Sequence, residues 1–149
     1  MDNEKILLTK KFLEHLVAHG ATYASITLIN KGGIKLFSSS NNKWEEIYHD
    51  SKLSSSCYLM KTGKKLLEKD DQFTVLWDSV NLSNDLEHEL FDLRQRNNLC
   101  HGVSFAQKLP DGTLQAIGIA GHYLDKTFTR AIIENKQKIL NNLKRTILF

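Results

Sequence analysis

The sequence predicts an α+β fold, an α-β-α sandwich whose middle layer is a five-stranded, mainly antiparallel sheet. Three observations lead there. Five short β-rich runs occur, and four of them form two pairs separated only by turn residues, which is hairpin spacing. Amphipathic helical patterns open and close the chain. Its 149 residues hold a single proline, Pro110, and neither a repeat nor a Pro- or Gly-rich linker divides them. A hairpin-connected sheet buries its apolar surface most economically under helices on both faces.

Each element has its own signal. Ile6, Leu8, Leu13, Leu16 and Val17 fall roughly on one stripe of a first helix, and Gly20 stops it. ATYASITLIN, Ala21 to Asn30, is rich in β-formers; NKGG turns it, and IKLFS returns as a second strand. Ser38 to Lys43 reads as a polar loop. WEEIYHD opens a short helix, and YLMKTGKKLLEK a further one that Gly63 interrupts. FTVLW, Phe73 to Trp77, is a third strand. Ser83 caps a helix carrying Leu86, Leu90 and Leu93, with Arg94 and Arg96 in its last turn, where cations complement the helix dipole. Cys100–Gln107 and Thr113–Gly121 are strands joined through LPDG, a strong turn signal. A long helix from about Thr127 closes the chain, apolar at Ile132, Ile133, Ile139, Leu140, Leu143 and Ile147.

Composition excludes several classes. A chain of 149 residues has the size of one domain with one core. No apolar run approaches the ~18 residues of a membrane span, so no membrane partner is expected. The start, MDNEKILLTKKF, lacks a secretory apolar region. Cys57 and Cys100 are too few for a disulfide framework and read as reduced thiols, which suits a cytoplasmic address. Net charge is +3, and from Lys126 onward six basic residues face Glu134 alone. Such a helix can be a nucleic-acid face, or the solvated outer face of an amphipathic helix, which is the commoner case.

Catalytic signals are missing. No CxxC or HExxH spacing occurs, and Cys100 and His101, adjacent on a strand, would point to opposite faces, so no metal site is predicted. There is no GxSxG elbow, Walker A loop or GxGxxG. Cys57, in SSSCY, has no neighbouring basic residue to lower its thiol pKa. The chain reads as a non-enzyme with no catalytic residue and no cofactor.

Aromatic and small residues carry more. Trp44 and Tyr48, four apart, share a helical face. Trp77 ends a β-rich run. Gly102 and Ser104 share one face of their strand, and Gly118 lies in the facing strand. Glycine weakens a strand and often marks the close approach of a ligand or another segment. Aromatic anchors over small floor residues fit a plain core, the commoner case, or a concave, mostly apolar pocket.

Together, W-x-x-x-Y at Trp44–Tyr48, FTVLWDSV around Trp77, the Ser83–Asn97 helix and NNLCHGVSFAQKLPDGTLQAIGIAG with the closing helix resemble one family. It is the N-terminal autoinducer-binding domain of LuxR-type quorum-sensing regulators, matched in order and approximate spacing over nearly the whole chain. The resemblance implies a five-stranded antiparallel sheet that holds an acyl-homoserine lactone, or a related small-molecule signal, against helices. It implies that Tyr48 bonds the acyl or amide carbonyl region and that Trp44 donates its indole N–H to the lactone carbonyl. Trp77 would pack on the lactone ring, with Ser104 and Gly118 lining the sheet side. The family's aspartate, nine residues after the tyrosine, accepts the ligand amide N–H. The same count from Tyr48 reaches Cys57, a poor acceptor. An unpaired amide costs about 1–3 kcal/mol. The segment from Cys57 to Trp77 is also longer than the family's.

Residues 1–149 then read as a single ligand-sensing domain that forms a homodimer. DNA would be read only by a C-terminal helix-turn-helix domain, which no part of these residues supplies. The same layers also suit a PAS-like or GAF-like interaction module whose pocket is filled by its own side chains and which dimerises without a ligand.

Overall fold

The structure, a computed structural model, describes residues 3–30, 32–50 and 57–146. Period-two alternation organises it from the first strand. On β1 (Ala21–Asn30), Ala24 and Ile26 enter one core, while Tyr23, Ser25 and Thr27 face the other way. β1 pairs antiparallel with β2 (Gly33–Ser39) and with β5 (Leu114–Gly121); β5 pairs with β4 (Cys100–Lys108), and β4 with β3 (Gln72–Leu76). Among the described residues these strands form one antiparallel sheet in the order β2-β1-β5-β4-β3.

Helices cover both faces. On one side lie α1 (Asn3–Leu16), α5 (Phe128–Glu134) and α6 (Lys136–Thr146), whose Phe12, Leu16, Phe128, Ile132, Ile139 and Leu143 pack on Ala24, Ile26, Val103, Phe105, Ile117 and Ile119. Bulky branched and aromatic side chains fill this layer. On the other side lie α2 (Asn42–Asp50), α3 (Tyr58–Leu67) and α4 (Asp85–Arg96). They bring Trp44, Tyr48, Tyr58 and Leu90 against Tyr23, Phe37 and Trp77. The predicted α-β-α sandwich is therefore the observed architecture.

Several boundaries differ from the sequence reading, each for a local reason. Ser38 and Ser39 belong to β2, paired with Ile26 and Ser25, and are not loop. Gly63 does not interrupt α3; a Cβ there would stand 3.2 Å from the Phe73 ring, so glycine admits that ring. The cap of α4 is Asn84, whose Oδ1 accepts from the Glu87 N–H at 2.9 Å, and not Ser83. Ser83 instead donates its N–H and hydroxyl to the Glu87 carboxylate at 2.8 and 3.0 Å. Trp77 lies just past β3, in a single 3-10 turn, Trp77–Ser79. The closing helix is two helices. Asn135 caps α5 and donates its side-chain N–H to the Ala131 carbonyl at 2.8 Å, a local bond that competes with helix continuation. Of the predicted apolar stripes, Val17, Leu86 and Ile133 are exposed, while Ile147 and the Ile6 side chain lie outside the described residues.

No helix among the described residues is long and apolar enough to cross a membrane. Among the same residues no three His, Cys, Asp or Glu side chains converge as a metal site.

Candidate ligand pocket

The two faces of the sheet are unlike. Where the first carries Ile, Val and Phe, the second carries small or hydroxylated residues in rows across β1, β5 and β4, each ended on β3 by a bulkier side chain. Ser25, Gly118, Ser104 and Val75 are consecutive partners across β1, β5, β4 and β3. Thr27, Ala116, Ala106 and Phe73 form the next row. Helices cannot settle flush on such a floor, and a cavity remains. It measures about 80 Å³, room for several waters.

Trp77 closes one end of the floor. Its indole N–H donates to Ser104 Oγ at 2.8 Å, and its ring lies over Gly102 so closely that a Cβ there would overlap the six-membered ring. A Cβ at Gly118 would stand 2.8 Å from Ser25 Oγ and 3.3 Å from the same indole. The glycines are thus the space that Trp77 occupies. The pairing of β4 with β5 shifts by a bulge between Cys100 and Val103, with His101 at φ +53 in the left-handed region.

The walls are aromatic. Trp44 and Tyr48 on α2 share a face as their spacing predicts, and Phe37 on β2 stacks on Tyr48 with ring centroids 5.3 Å apart. Burial pushes the Tyr23 phenol up to about 12 and raises the Tyr48 phenol above the tyrosine range, so both are neutral hydroxyls near neutral pH.

At the centre of these rings stands a side chain that sequence reasoning put elsewhere. Arg94 does not extend from the last turn of α4 into solvent; it is only 5% exposed. Its guanidinium carbon lies 5.0 to 5.8 Å from the ring centroids of Tyr58, Trp77, Trp44 and Tyr48. Such distances permit cation–π attraction to all four. Nη2 donates to Cys57 Sγ at 3.5 Å, while Nη1 is buried with no hydrogen-bond partner among the described residues. Burial pushes the Cys57 thiol up, and the Arg94 charge and the Tyr48 hydroxyl more than reverse it, holding the thiol below the usual cysteine range. A basic neighbour therefore exists, supplied by the fold and not by SSSCY. Burial opposes the Arg94 charge, yet Cys57 and the adjacent phenols keep its pKa above the ordinary arginine value.

The helix carrying Arg94 is itself anchored. Glu87, one face with Leu90 and Arg94, is buried, and the exposed Lys61 on α3 pairs with it at 3.3 Å. The hydrogen bond donated by the Ser83 backbone N–H, outweighing burial, keeps the Glu87 carboxyl below the carboxylate range. This clamp joins α3 to the start of α4 and so positions Arg94 two turns on.

Trp44, Tyr48, Cys57, Trp77, Ser104 and Gly118 all line this one cavity. Sequence reasoning missed Arg94, Tyr23 and Phe37, which line it too. One signal for Arg94 was available: it stands four residues after Leu90, on the stripe that α4 buries.

No protein-family model matches the sequence, and no curated protein matches it. Solved structures match it in shape. One is the N-acylhomoserine lactone-dependent LuxR-family transcription factor CepR2 of Burkholderia cenocepacia, with TM-score 0.67 at 11% identity, covering 98% of this chain and 96% of that one. SdiA in complex with octanoyl-rac-glycerol gives 0.61 at 13% identity, over 100% of this chain and 64% of that one. Escherichia coli SdiA gives 0.52 at 13%, over 100% and 65%. This chain spans slightly under two thirds of the SdiA chains. In layer order and sheet, the chain has the fold of the autoinducer-binding domains of LuxR-type transcriptional regulators.

Proposed function

We propose that residues 1–149 are a cytoplasmic, non-catalytic sensing domain of a LuxR-type regulator. It binds an acyl-homoserine lactone or a related small molecule between the sheet and helices α2, α3 and α4. The observation that carries this reading is the convergence of Trp44, Tyr48, Cys57, Trp77, Ser104 and Gly118 on one cavity. Tyr48 bonds the acyl or amide carbonyl region of the ligand, and Trp44 donates to its head. Trp77 covers the head, and Ser104 and Gly118 form the floor beneath it. Cys57 stands beside the ligand amide as a weak acceptor. Occupancy stabilises the folded domain and favours a homodimer, which controls DNA binding by a C-terminal domain outside these residues.

Thermal unfolding with a panel of N-acyl-homoserine lactones and 1-octanoyl-glycerol tests this. At least one compound raises Tm, and Trp44→Phe weakens that compound by up to about tenfold, the worth of one neutral hydrogen bond. No rise with any of them removes the sensing function.

A second reading, the ligand-independent interaction module, draws on one observation. Arg94 already fills the space between the four aromatic rings. Under that reading sedimentation finds a dimer whose dissociation constant no compound in the panel changes.

A further inference from the structure

A guanidinium removed from water needs a counter-charge or a full set of acceptors. Within the described residues Arg94 has only the Cys57 thiol as a counter-charge, and its set of acceptors is incomplete. None of their carboxylates pairs with it, Nη1 has no hydrogen-bond partner, and Nη2 reaches only a sulfur at 3.5 Å. The ring faces around it attract the charge and the Tyr58 hydroxyl interacts with the guanidinium, yet Nη1 is still left without an acceptor. Arg94 lines the cavity, so its unmet donors belong to the space a ligand would enter.

The rest of that end is also furnished with donors. Ser104 accepts from the Trp77 indole and keeps its own hydroxyl proton. Tyr48 has a neutral hydroxyl, since burial raises its phenol, and it hydrogen-bonds Cys57 at the edge of the same space. Away from Arg94 the lining turns apolar, through Ala106, Ala116, Phe73, Leu114 and Ile29. A cation with unused N–H groups at one end and an apolar run at the other describe a particular amphiphile. We infer that the pocket takes a ligand with a carboxylate head set against Arg94 and an acyl or similarly apolar tail along β1 and β5.

This rests on the reading of the cavity as a ligand pocket and narrows it from neutral lactones to acids. Such a carboxylate could end a fatty acid, or belong to an acyl-homoserine whose lactone ring is open. Arg94 would meet either with charge-assisted hydrogen bonds, stronger than those a neutral carbonyl forms.

The test is titration calorimetry at neutral pH with two matched pairs: octanoate against octanamide, and N-octanoyl-homoserine against its lactone. In at least one pair the acid binds ten times more tightly or better than its neutral partner, and the pair that does so identifies the source. Arg94→Met abolishes that advantage. Lys64→Met, which removes an exposed cation lining the same cavity, leaves it intact. Neutral partners that bind as well as the acids overturn this inference while leaving the sensing function standing. An acid preference that disappears with Lys64 and survives loss of Arg94 also overturns it. No binding by any of the four overturns this inference, while the sensing function is decided by the lactone and octanoyl-glycerol panel. Should Arg94→Met fail to fold, the two wild-type pairs with Lys64→Met still decide.

Discussion

At the scale of single residues, Trp77 and Gly102 depend on each other. The indole lies where a Cβ at Gly102 would be, and its N–H is held by Ser104. Gly102→Ala must push the ring off this seat, an overpacking that costs about 1–3 kcal/mol. Urea unfolding should show that loss, with the Trp77 fluorescence environment altered. Glu45 is a second case. It is buried, Oε2 accepts from Ser39 at 3.3 Å, and Oε1 has no hydrogen-bond partner among the described residues. Burial raises its carboxyl above the usual range. The charged form is then disfavoured by folding, so Glu45 weakens the fold at neutral pH. The penalty fades as the pH falls through the raised folded pKa toward the ordinary glutamate value of about 4.3. Glu45→Gln should raise the urea midpoint at pH 7, by a margin that shrinks toward pH 4.

At the scale of elements, the bulge in β4 works through His101. Its Nδ1 lies 2.7 Å from an Asp78 carboxylate oxygen after β3, and its Nε2 lies 2.8 Å from the Tyr123 carbonyl after β5. Both partners are acceptors, and only the imidazolium donates from both nitrogens. The Asp78 hydrogen bond, with the Tyr123 carbonyl, accordingly raises the His101 pKa. Its contribution is fully present below the unfolded value of about 6.5 and is lost as the pH rises through the higher folded pKa. Stability should fall across that window, and Asp78→Asn should flatten the fall; an unchanged slope would show that His101 is not its source. The break at Asn135 belongs to the same scale. It turns one predicted helix into two, each laying its own apolar residues on the sheet.

At the scale of the whole molecule, one sheet supports two cores of opposite character. The face under α1, α5 and α6 is filled with branched and aromatic side chains. The face under α2, α3 and α4 has a small-residue floor and a cavity of about 80 Å³. Under the proposed function, a ligand there would bind the folded chain and not the unfolded one, and so stabilise the protein by mass action. At a hundredfold excess over Kd the gain is about 2.7 kcal/mol. For a chain of this size that raises Tm by roughly 5–10 °C, the scale on which the lactone and acid panels should be read. The basic residues after Lys126 do not act as one patch throughout. Arg130 pairs with Glu134, and Lys136 bends inward to Thr74 Oγ1 at 3.2 Å and the Phe105 ring.

By itself the sequence determined the layers and which small residues share a sheet face. Strand alternation, hairpin turns and end-helix stripes are local patterns, and they placed all five strands within a few residues. The in-phase Gly102 and Ser104 marked the seat of Trp77 and the floor beside it, and the helical spacing of Trp44 and Tyr48 marked a wall, for the same reason: period fixes facing. Tertiary structure decided what fills the centre. Arg94 reads as a helix-end cation because propensity and dipole arguments see only its own helix. Its burial depends on rings brought from α2, α3 and the turn after β3, and Cys57 gains its basic neighbour from 37 residues away. Charge and burial are set by who meets whom across the fold, and no local period encodes that meeting.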